Sequence, residues 1–319
     1  MVGAWRFWEG TMTGGGTSFH GDSDPYLVPT EHPWRALADR DLTGKRVLTV
    51  AGSGDGPVFW NARGVEAVVA VDVSRKACFL TELKRAAYGM LHRQEFACLF
   101  FSGLEEVEPA DAQIEGSGRD PKACYQKVRS LLTGPARAFF DPLFDGAPEG
   151  STPLTRFLRP TDRIHVALFP PLTSQAAYRA WAAGAARPVS IVCAPVERFL
   201  EETAASFHLI YLSNILEYVR RDFLLAEDDG GFRRFLERFW TRVDRALEPA
   251  GAVGVYIFQG QDTHAFSHAM EDLAIPLHMG YKAEFIPVTI RPPGLDKAVW
   301  RHTLVFLVKP ASRKSLGEA

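Results

Sequence analysis

The chain has 319 residues, of which 46% are hydrophobic and 23% are charged, with a formal net charge of −2 at pH 7. This composition is typical of a globular protein with one large domain or a domain that carries an insertion. The small net charge gives no field that favours nucleic acid or an anionic membrane, and no apolar run approaches the roughly 20 residues of a membrane span. The scattered cysteines contain no CxxC pair and indicate free thiols in a reducing compartment: Cys78, Cys98, Cys124 and Cys193. We therefore expect a cytoplasmic enzyme with no nucleic-acid partner and no stable membrane insertion, while the oligomeric state stays open.

The first segment, residues 1–45, is rich in Gly, Thr, Asp and Pro but also in aromatic side chains. A solvated tail has few aromatics. We therefore expect this segment to pack on the rest of the protein, over its ligand site. The rings are those of Trp5, Phe7, Trp8, Phe19, Tyr26 and Trp34.

Residues 46–90 carry the most informative pattern of the sequence. An apolar strand at 47–50 leads into a glycine-rich loop, a helix-like segment follows, and a second apolar strand ends at Asp72. This order is how a doubly wound α/β domain binds an adenosine, and Asp72 lies 18 residues beyond Gly54, close to the ~20 that the fingerprint expects. We expect Asp72, with Val73 beside it, to accept the ribose hydroxyls. The loop residues expected to shape the cofactor site are Ala51, Gly52, Ser53, Gly54 and Asp55.

The spacing of the later strands predicts a large insertion. From Asp72 to Val189 there are 117 residues, whereas one βαβ unit needs only about 30. The excess, residues 91–187, is predicted to be mainly helical and to follow the second strand, at the carboxyl edge where ligands bind. It is expected to serve as a lid or acceptor side, or as a packed auxiliary subdomain. Strands alternate with helices again over 188–310, and residues 311–319 form a tail, so the fold class is α/β and Rossmann-like.

The glycine spacing selects among adenosine cofactors. Gly52, Gly54 and Gly56 form G-x-G-x-G, without the third glycine of the dinucleotide register, and the later half lacks a second mononucleotide unit. S-adenosylmethionine, which has one adenosine and no pyrophosphate, fits better. The usual class I methyltransferase pattern has an acid two residues before the first loop position, where this chain has Thr49.

Four segments, 47–55, 70–74, 80–87 and 207–219, resemble the betaine-lipid synthase type of 3-amino-3-carboxypropyl transferase. The chain also resembles the related isonocardicin-type and azetidine-2-carboxylate synthases of natural-product biosynthesis. The resemblance implies a class I methyltransferase fold that takes S-adenosylmethionine as substrate. Attack at the γ-carbon then releases methylthioadenosine, either by transfer to a small-molecule acceptor or by cyclisation to azetidine-2-carboxylate. The alternatives are a small-molecule methyltransferase and a non-catalytic partner protein that binds S-adenosylmethionine.

The remaining candidate residues follow the third and fourth strands of the predicted sheet. We expect Glu197 to contact the adenine amino group, with three neighbours near the ring: Ala194, Pro195 and Val196. Ser213 and Asn214 end the fourth strand and are expected to hold the methionine arm. Further catalytic candidates are Tyr218, Tyr178 and Asp22, the last in a segment loosely similar to an acidic motif of the family, and Tyr211 is a possible cation–π partner. His264 and His268 lack a third ligand, so no metal is expected.

Overall fold

The computed structural model describes residues 6–7, 23–37, 40–102, 120–159, 163–258, 263–291 and 300–311. Its strands are β1 (Arg6–Phe7), β2 (Arg46–Val50), β3 (Ala67–Asp72), β4 (Val189–Cys193), β5 (Phe207–Ser213), β6 (Leu247–Ile257), β7 (Lys282–Ile290) and β8 (Trp300–Val308). Its helices are α1 (Pro33–Ala36), α2 (Asp55–Ala62), α3 (Arg75–Met90), α4 (Arg93–Phe101), α5 (Pro121–Arg129), α6 (Gly134–Asp145), α7 (Arg163–Ala167), α8 (Pro170–Thr173), α9 (Gln175–Ala185), α10 (Val196–Glu202), α11 (Ile215–Leu225), α12 (Asp229–Ala246), α13 (Thr263–Asp272) and α14 (Ala274–His278). A 3₁₀ turn covers Pro153–Arg156.

These strands form one sheet in the order β1-β4-β3-β2-β5-β6-β8-β7. Strands β4, β3, β2, β5 and β6 are parallel, whereas β8 is antiparallel to both of its neighbours. Strand β2 is central: Thr49 is in register with Ala70 of β3 on one side and with Tyr211 of β5 on the other. The chain therefore winds outward from β2 in both directions, which leaves a crevice at the carboxyl ends of β2 and β5. This is the Rossmann-like class I methyltransferase fold, and the fold class predicted from the sequence is confirmed.

Both faces of the central strands are buried, which explains why these strands are continuously apolar. Because successive side chains point to opposite faces, Val47 and Leu209 join one core cluster while Leu48 and Ile210 join the other. The first cluster includes α2, α3 and the helices that follow them. The second is closed by α10, α11 and α12.

The described part of 91–187 is helical and packs on α2 and α3 through aromatic rings. The ring of Phe96 lies 4.4 Å from that of Tyr88 in α3, and the ring of Trp181 lies 5.6 Å from that of Phe59 in α2. Rings at these separations bury large apolar areas and prefer the tilted arrangements found here. The inserted helices therefore share one core with the Rossmann-like unit.

Among the helices in the described ranges, none has both the length and the apolar character that a membrane span needs.

Candidate active site

A cleft of about 240 Å³ opens at the carboxyl ends of β2, β3 and β5. Its floor is formed by the loop after β2, by the end of β3, by the turn into α10 and by the β5–α11 junction. Residues 23–37, here called the cover segment, lie across it and contribute Tyr26, Glu31 and Trp34 to the lining. The lining is largely apolar, with a few convergent polar groups, as expected of a small-molecule site.

The loop after β2 needs glycine at two positions for different reasons. Gly54 has φ +84°, and a Cβ there would lie 2.8 Å from the Cα of Thr81 in α3, so the loop and the helix touch through backbone. Gly52 has φ +54°, but a Cβ there would meet nothing within 4 Å. The backbone at Gly52 is therefore open to a ligand, whereas Gly54 is packed against the protein.

Asp72 lies at the end of β3 and is tied to both neighbouring turns. Its Oδ2 accepts a 2.9 Å hydrogen bond from the amide of Gly52, and its Oδ1 accepts one of 2.9 Å from the amide of Ser74. The Ser74 hydroxyl in turn caps α3 by accepting from the amide of Ala77 at 3.2 Å. Burial raises the pKa of Asp72 to about 6. The backbone amide of Val73 also acts on this carboxylate, which has about four lone-pair sites and so keeps acceptor capacity for a ligand. Both Asp72 and Val73 line the cleft.

Asp55, which was expected to contact the cofactor, lies beneath the loop instead of lining the cleft. It forms a fully buried ion pair with Lys84 of α3, and it accepts 3.0 Å hydrogen bonds from Ser53 and Tyr88. Lys84 also donates to the carbonyl of Leu27 in the cover segment. Burial raises the pKa of Asp55 and lowers that of Lys84. This network joins the glycine loop to the cover segment.

The turn from β4 into α10 forms the wall beside Asp72. Pro195, Val196 and Glu197 line the cleft, whereas Ala194 does not; its amide donates to the Asp72 carbonyl at 2.9 Å. Burial raises the pKa of Glu197, which lies in the first turn of α10.

The opposite end of the cleft is built by the β5–α11 junction. Ser213 has φ +58°, a left-handed conformation that is strained for a residue with a Cβ, and such strain is concentrated at functional sites. Asn214 occupies the N-cap position of α11, yet its side chain makes no capping hydrogen bond. Its Oδ1 lies 3.3 Å from the Oγ of Ser213, whose one proton is donated to Glu31. Tyr218 is hydrogen-bonded to Asn214 and Tyr26, and burial raises its pKa to about 12.

Sequence reasoning missed the carboxylate at this end of the cleft. Glu31 in the cover segment is only 8% exposed and accepts hydrogen bonds from Tyr211, at 2.5 Å, and from Ser213. Burial raises its pKa to about 7. No spacing in the sequence links Glu31 to β5, so the only available signal was an acid within an aromatic-rich segment.

Of the further predicted positions, Tyr178 does not join this cleft. Tyr178 is 2% exposed in α9, and its hydroxyl donates to the Leu91 carbonyl at 2.8 Å. Asp22 lies outside the described residues. None of the described residues of 91–187 lines the cleft, so an acceptor-side role for this insertion stays a prediction. Within the same described ranges, no three His, Cys, Asp or Glu side chains are grouped to hold a metal ion.

Comparisons with solved structures returned distant likenesses. No protein-family model and no curated protein matches the sequence. Among solved structures, the precorrin-8w decarboxylase of Methanobacterium thermoautotrophicum has a TM-score of 0.40 at 12% identity, covering 91% of this chain and 99% of its own. The N-methyltransferase NodS of Bradyrhizobium japonicum, in complex with S-adenosyl-L-homocysteine, has a TM-score of 0.38 at 9% identity, covering 87% of this chain and 83% of its own. Likenesses this weak say nothing of activity, and the fold assignment rests on the strand order and registers described above.

Proposed function

We propose that this protein is an enzyme that takes S-adenosylmethionine as substrate and directs a nucleophile to the γ-carbon of its methionine moiety. The observation that carries the proposal is the arrangement of Asp72 and the Gly52 loop at one end of a single covered cleft, with Ser213 and Asn214 at the other. A nucleoside with a short charged arm matches this distribution of polar groups.

At the adenosine end, Asp72 would accept the two ribose hydroxyls, and Glu197 would accept from the adenine amino group. Hydrogen bonds to a charged acceptor contribute about 1.5–3 kcal/mol each. Pro195 and Val196 would pack on the adenine ring. The backbone open at Gly52 leaves room for the arm to pass towards β5.

At the methionine end, several aromatic rings would surround the sulfonium. Trp34, Trp60 and Tyr211 line the cleft, and the rings of Trp60 and Tyr211 lie 5.3 Å apart. Aromatic faces stabilise a desolvated cation by about 1–2 kcal/mol. Thr49, in the place of the usual acid, accepts a 3.1 Å hydrogen bond from the indole of Trp60 and so holds that ring beside the cleft.

The sulfonium has three electrophilic carbons, and the methyl carbon is the least hindered. Attack at the γ-carbon therefore requires a nucleophile held in line behind that carbon. The γ-carbon–sulfur bond breaks, its electron pair passes to sulfur, and methylthioadenosine leaves. The nucleophile is either a small-molecule acceptor or the amino group of the substrate itself, which closes azetidine-2-carboxylate. Two features of the sequence support this choice. Thr49 stands where class I methyltransferases usually have an acid, and segment 207–219 resembles aminocarboxypropyl transferases.

Product analysis by mass spectrometry tests the proposal. The protein is incubated with S-adenosylmethionine alone and with small-molecule acceptors, and methylthioadenosine is quantified against the same mixtures without protein, which correct for spontaneous breakdown. Methylthioadenosine above that background supports attack at the γ-carbon. S-adenosylhomocysteine without methylthioadenosine would establish the second candidate, a methyltransferase. Calorimetry that detects no binding of S-adenosylmethionine would contradict both.

A further inference from the structure

We propose that Glu31 is the general base of this site and removes a proton from a primary ammonium group, so that the nucleophile is an amine. The inference rests on the proposed function, since it names the chemical class of the nucleophile that attacks the γ-carbon. It is carried by the position of Glu31 in the lining of the cleft and by the partners that hold it there.

The hydrogen bonds of Glu31 leave it able to take a third partner. Oε2 accepts from the phenol of Tyr211, and Oε1 accepts from the hydroxyl of Ser213. A carboxylate oxygen has two lone pairs, so each oxygen retains one acceptor site. Both present donors are hydroxyls, which rotate and can accept instead of donate when the carboxyl group takes up a proton.

The charges around Glu31 favour an incoming cation. Within the part of the chain that the structure describes, the groups that act on Glu31 are Tyr211 and Ser213 of β5, Tyr256 of β6 and Glu217 of α11, and none of these carries a positive charge. A buried carboxylate without a cationic partner is unfavourable. A bound ammonium would supply that missing charge. The pKa of about 7 places the group where a general base is most effective near neutral pH.

Other acids of the cleft are less suited to this task. Asp72 is held by backbone amides at the adenosine end. Glu197 lies on the wall beside Asp72, at the start of α10. Of the three, only Glu31 is bonded to the residue that ends β5, where the methionine arm would lie.

The proposed reaction is a proton transfer followed by a displacement at the γ-carbon. The ammonium gives one proton to the Glu31 carboxylate and becomes a neutral amine. Its nitrogen lone pair forms the bond to the γ-carbon while the γ-carbon–sulfur bond breaks, and the electron pair neutralises the sulfonium. The new nitrogen centre is an ammonium, and Glu31 returns its proton to water. The amine is either the substrate's own α-amino group or that of a second small molecule, and both present the same chemistry to Glu31.

The test compares the wild type with Glu31→Gln, and with Glu66→Gln as a control at an exposed position in the turn before β3. Each protein is given S-adenosylmethionine alone in one arm and with glycine or ethanolamine in the other. Azetidine-2-carboxylate in the first arm identifies the internal amine, and an N-aminocarboxypropyl product in the second identifies an external one. General-base catalysis contributes about 10²–10⁴-fold. We therefore expect methylthioadenosine formation by Glu31→Gln to fall at least about 100-fold, while the calorimetric Kd for S-adenosylmethionine changes by only a few-fold.

The pH profile separates a base from a merely structural acid. For the wild type, kcat/KM should fall as the pH drops below about 7. Glu31→Asp should show the same fall of kcat/KM at low pH, with a lower maximum value. Unchanged turnover in Glu31→Gln would overturn the inference, and so would a Kd that rises as much as kcat/KM falls, or a product with a new carbon–oxygen or carbon–sulfur bond. Absence of methylthioadenosine from the wild type would instead contradict the proposed function itself.

Discussion

The phenol of Tyr211 donates a 2.5 Å hydrogen bond to Oε2 of Glu31, although 180 residues separate the two in the chain. Tyr211 lies in a central strand, whereas Glu31 lies in the cover segment. The bond therefore fixes the cover segment to the sheet at the point where the methionine arm would lie. Contacts at the start of α3 also anchor this segment: the hydroxyl of Ser74 donates to the Ser23 carbonyl at 2.6 Å, and Lys76 pairs with Asp24 at 2.5 Å.

The first prediction concerns the effect of Glu31 on stability. Its pKa is raised from 4.5 to about 7 on folding, so the folded state holds its proton more tightly and loses stability as the pH rises from about 4.5 through 7. Glu31→Gln removes this titration. We expect the variant to be more stable than the wild type at about pH 8, by at most about 3 kcal/mol, and the difference to shrink towards pH 5. Urea denaturation at both pH values measures it, and a stability difference between variant and wild type that does not change from pH 5 to pH 8 would contradict the raised pKa.

The second prediction separates binding from turnover. Asp72→Ala loses the bonds to the ribose in ground and transition states alike, so KM for S-adenosylmethionine should rise more than kcat falls. Asn214→Ala should instead lower kcat, because a displaced arm no longer aligns the γ-carbon with its nucleophile, and small displacements can cost ~100-fold. Steady-state kinetics with calorimetric Kd values distinguish the two. Wild-type turnover in the Asn214 variant would mean that this residue only begins α11.

The third prediction compares two glycines of one loop. Gly54→Ala must displace the backbone of α3, because the new Cβ would lie 2.8 Å from the Cα of Thr81. Gly52→Ala has open space and carries only the cost of a left-handed conformation, about 1–2 kcal/mol. We expect Gly54→Ala to lower the melting temperature markedly and Gly52→Ala to lower it slightly while weakening binding of S-adenosylmethionine. Equal melting temperatures would show that the loop is not packed on α3 as described.

The fourth prediction tests the buried pair beneath the loop. Lys84→Met leaves Asp55 buried without its cation, and breaking such a pair costs about 3–5 kcal/mol. In the double variant Asp55→Asn/Lys84→Met the uncompensated charge is gone, while the partners Ser53 and Tyr88 remain. We expect the double variant to be more stable than Lys84→Met alone, as measured by the free energy of unfolding in urea. If the losses of unfolding free energy in Lys84→Met and in Asp55→Asn simply add in the double variant, the two side chains do not interact.

The sequence by itself determined the fold class and one end of the site. Strands β2 and β3 and the loop between them are close in the chain, and β–loop–α–β order leaves little choice in how they pair. The carboxylate at the tip of β3 must then lie beside the glycine loop, as Asp72 does, bonded to the amide of Gly52. Serine is a preferred helix N-cap, and Ser74, two residues further on, caps α3.

Only the tertiary structure decided which residues lie at the other end of the cleft, where β5 meets α11. Glu31 approaches Ser213 because the cover segment crosses the sheet edge, and no periodicity in residues 1–45 encodes that path. Tyr178 and Asp55 are of suitable types for a site, but packing directs both into the interior, where Leu91 and Lys84 satisfy them. Local spacing specifies elements and short connections, whereas contacts between distant segments depend on how apolar faces fit together.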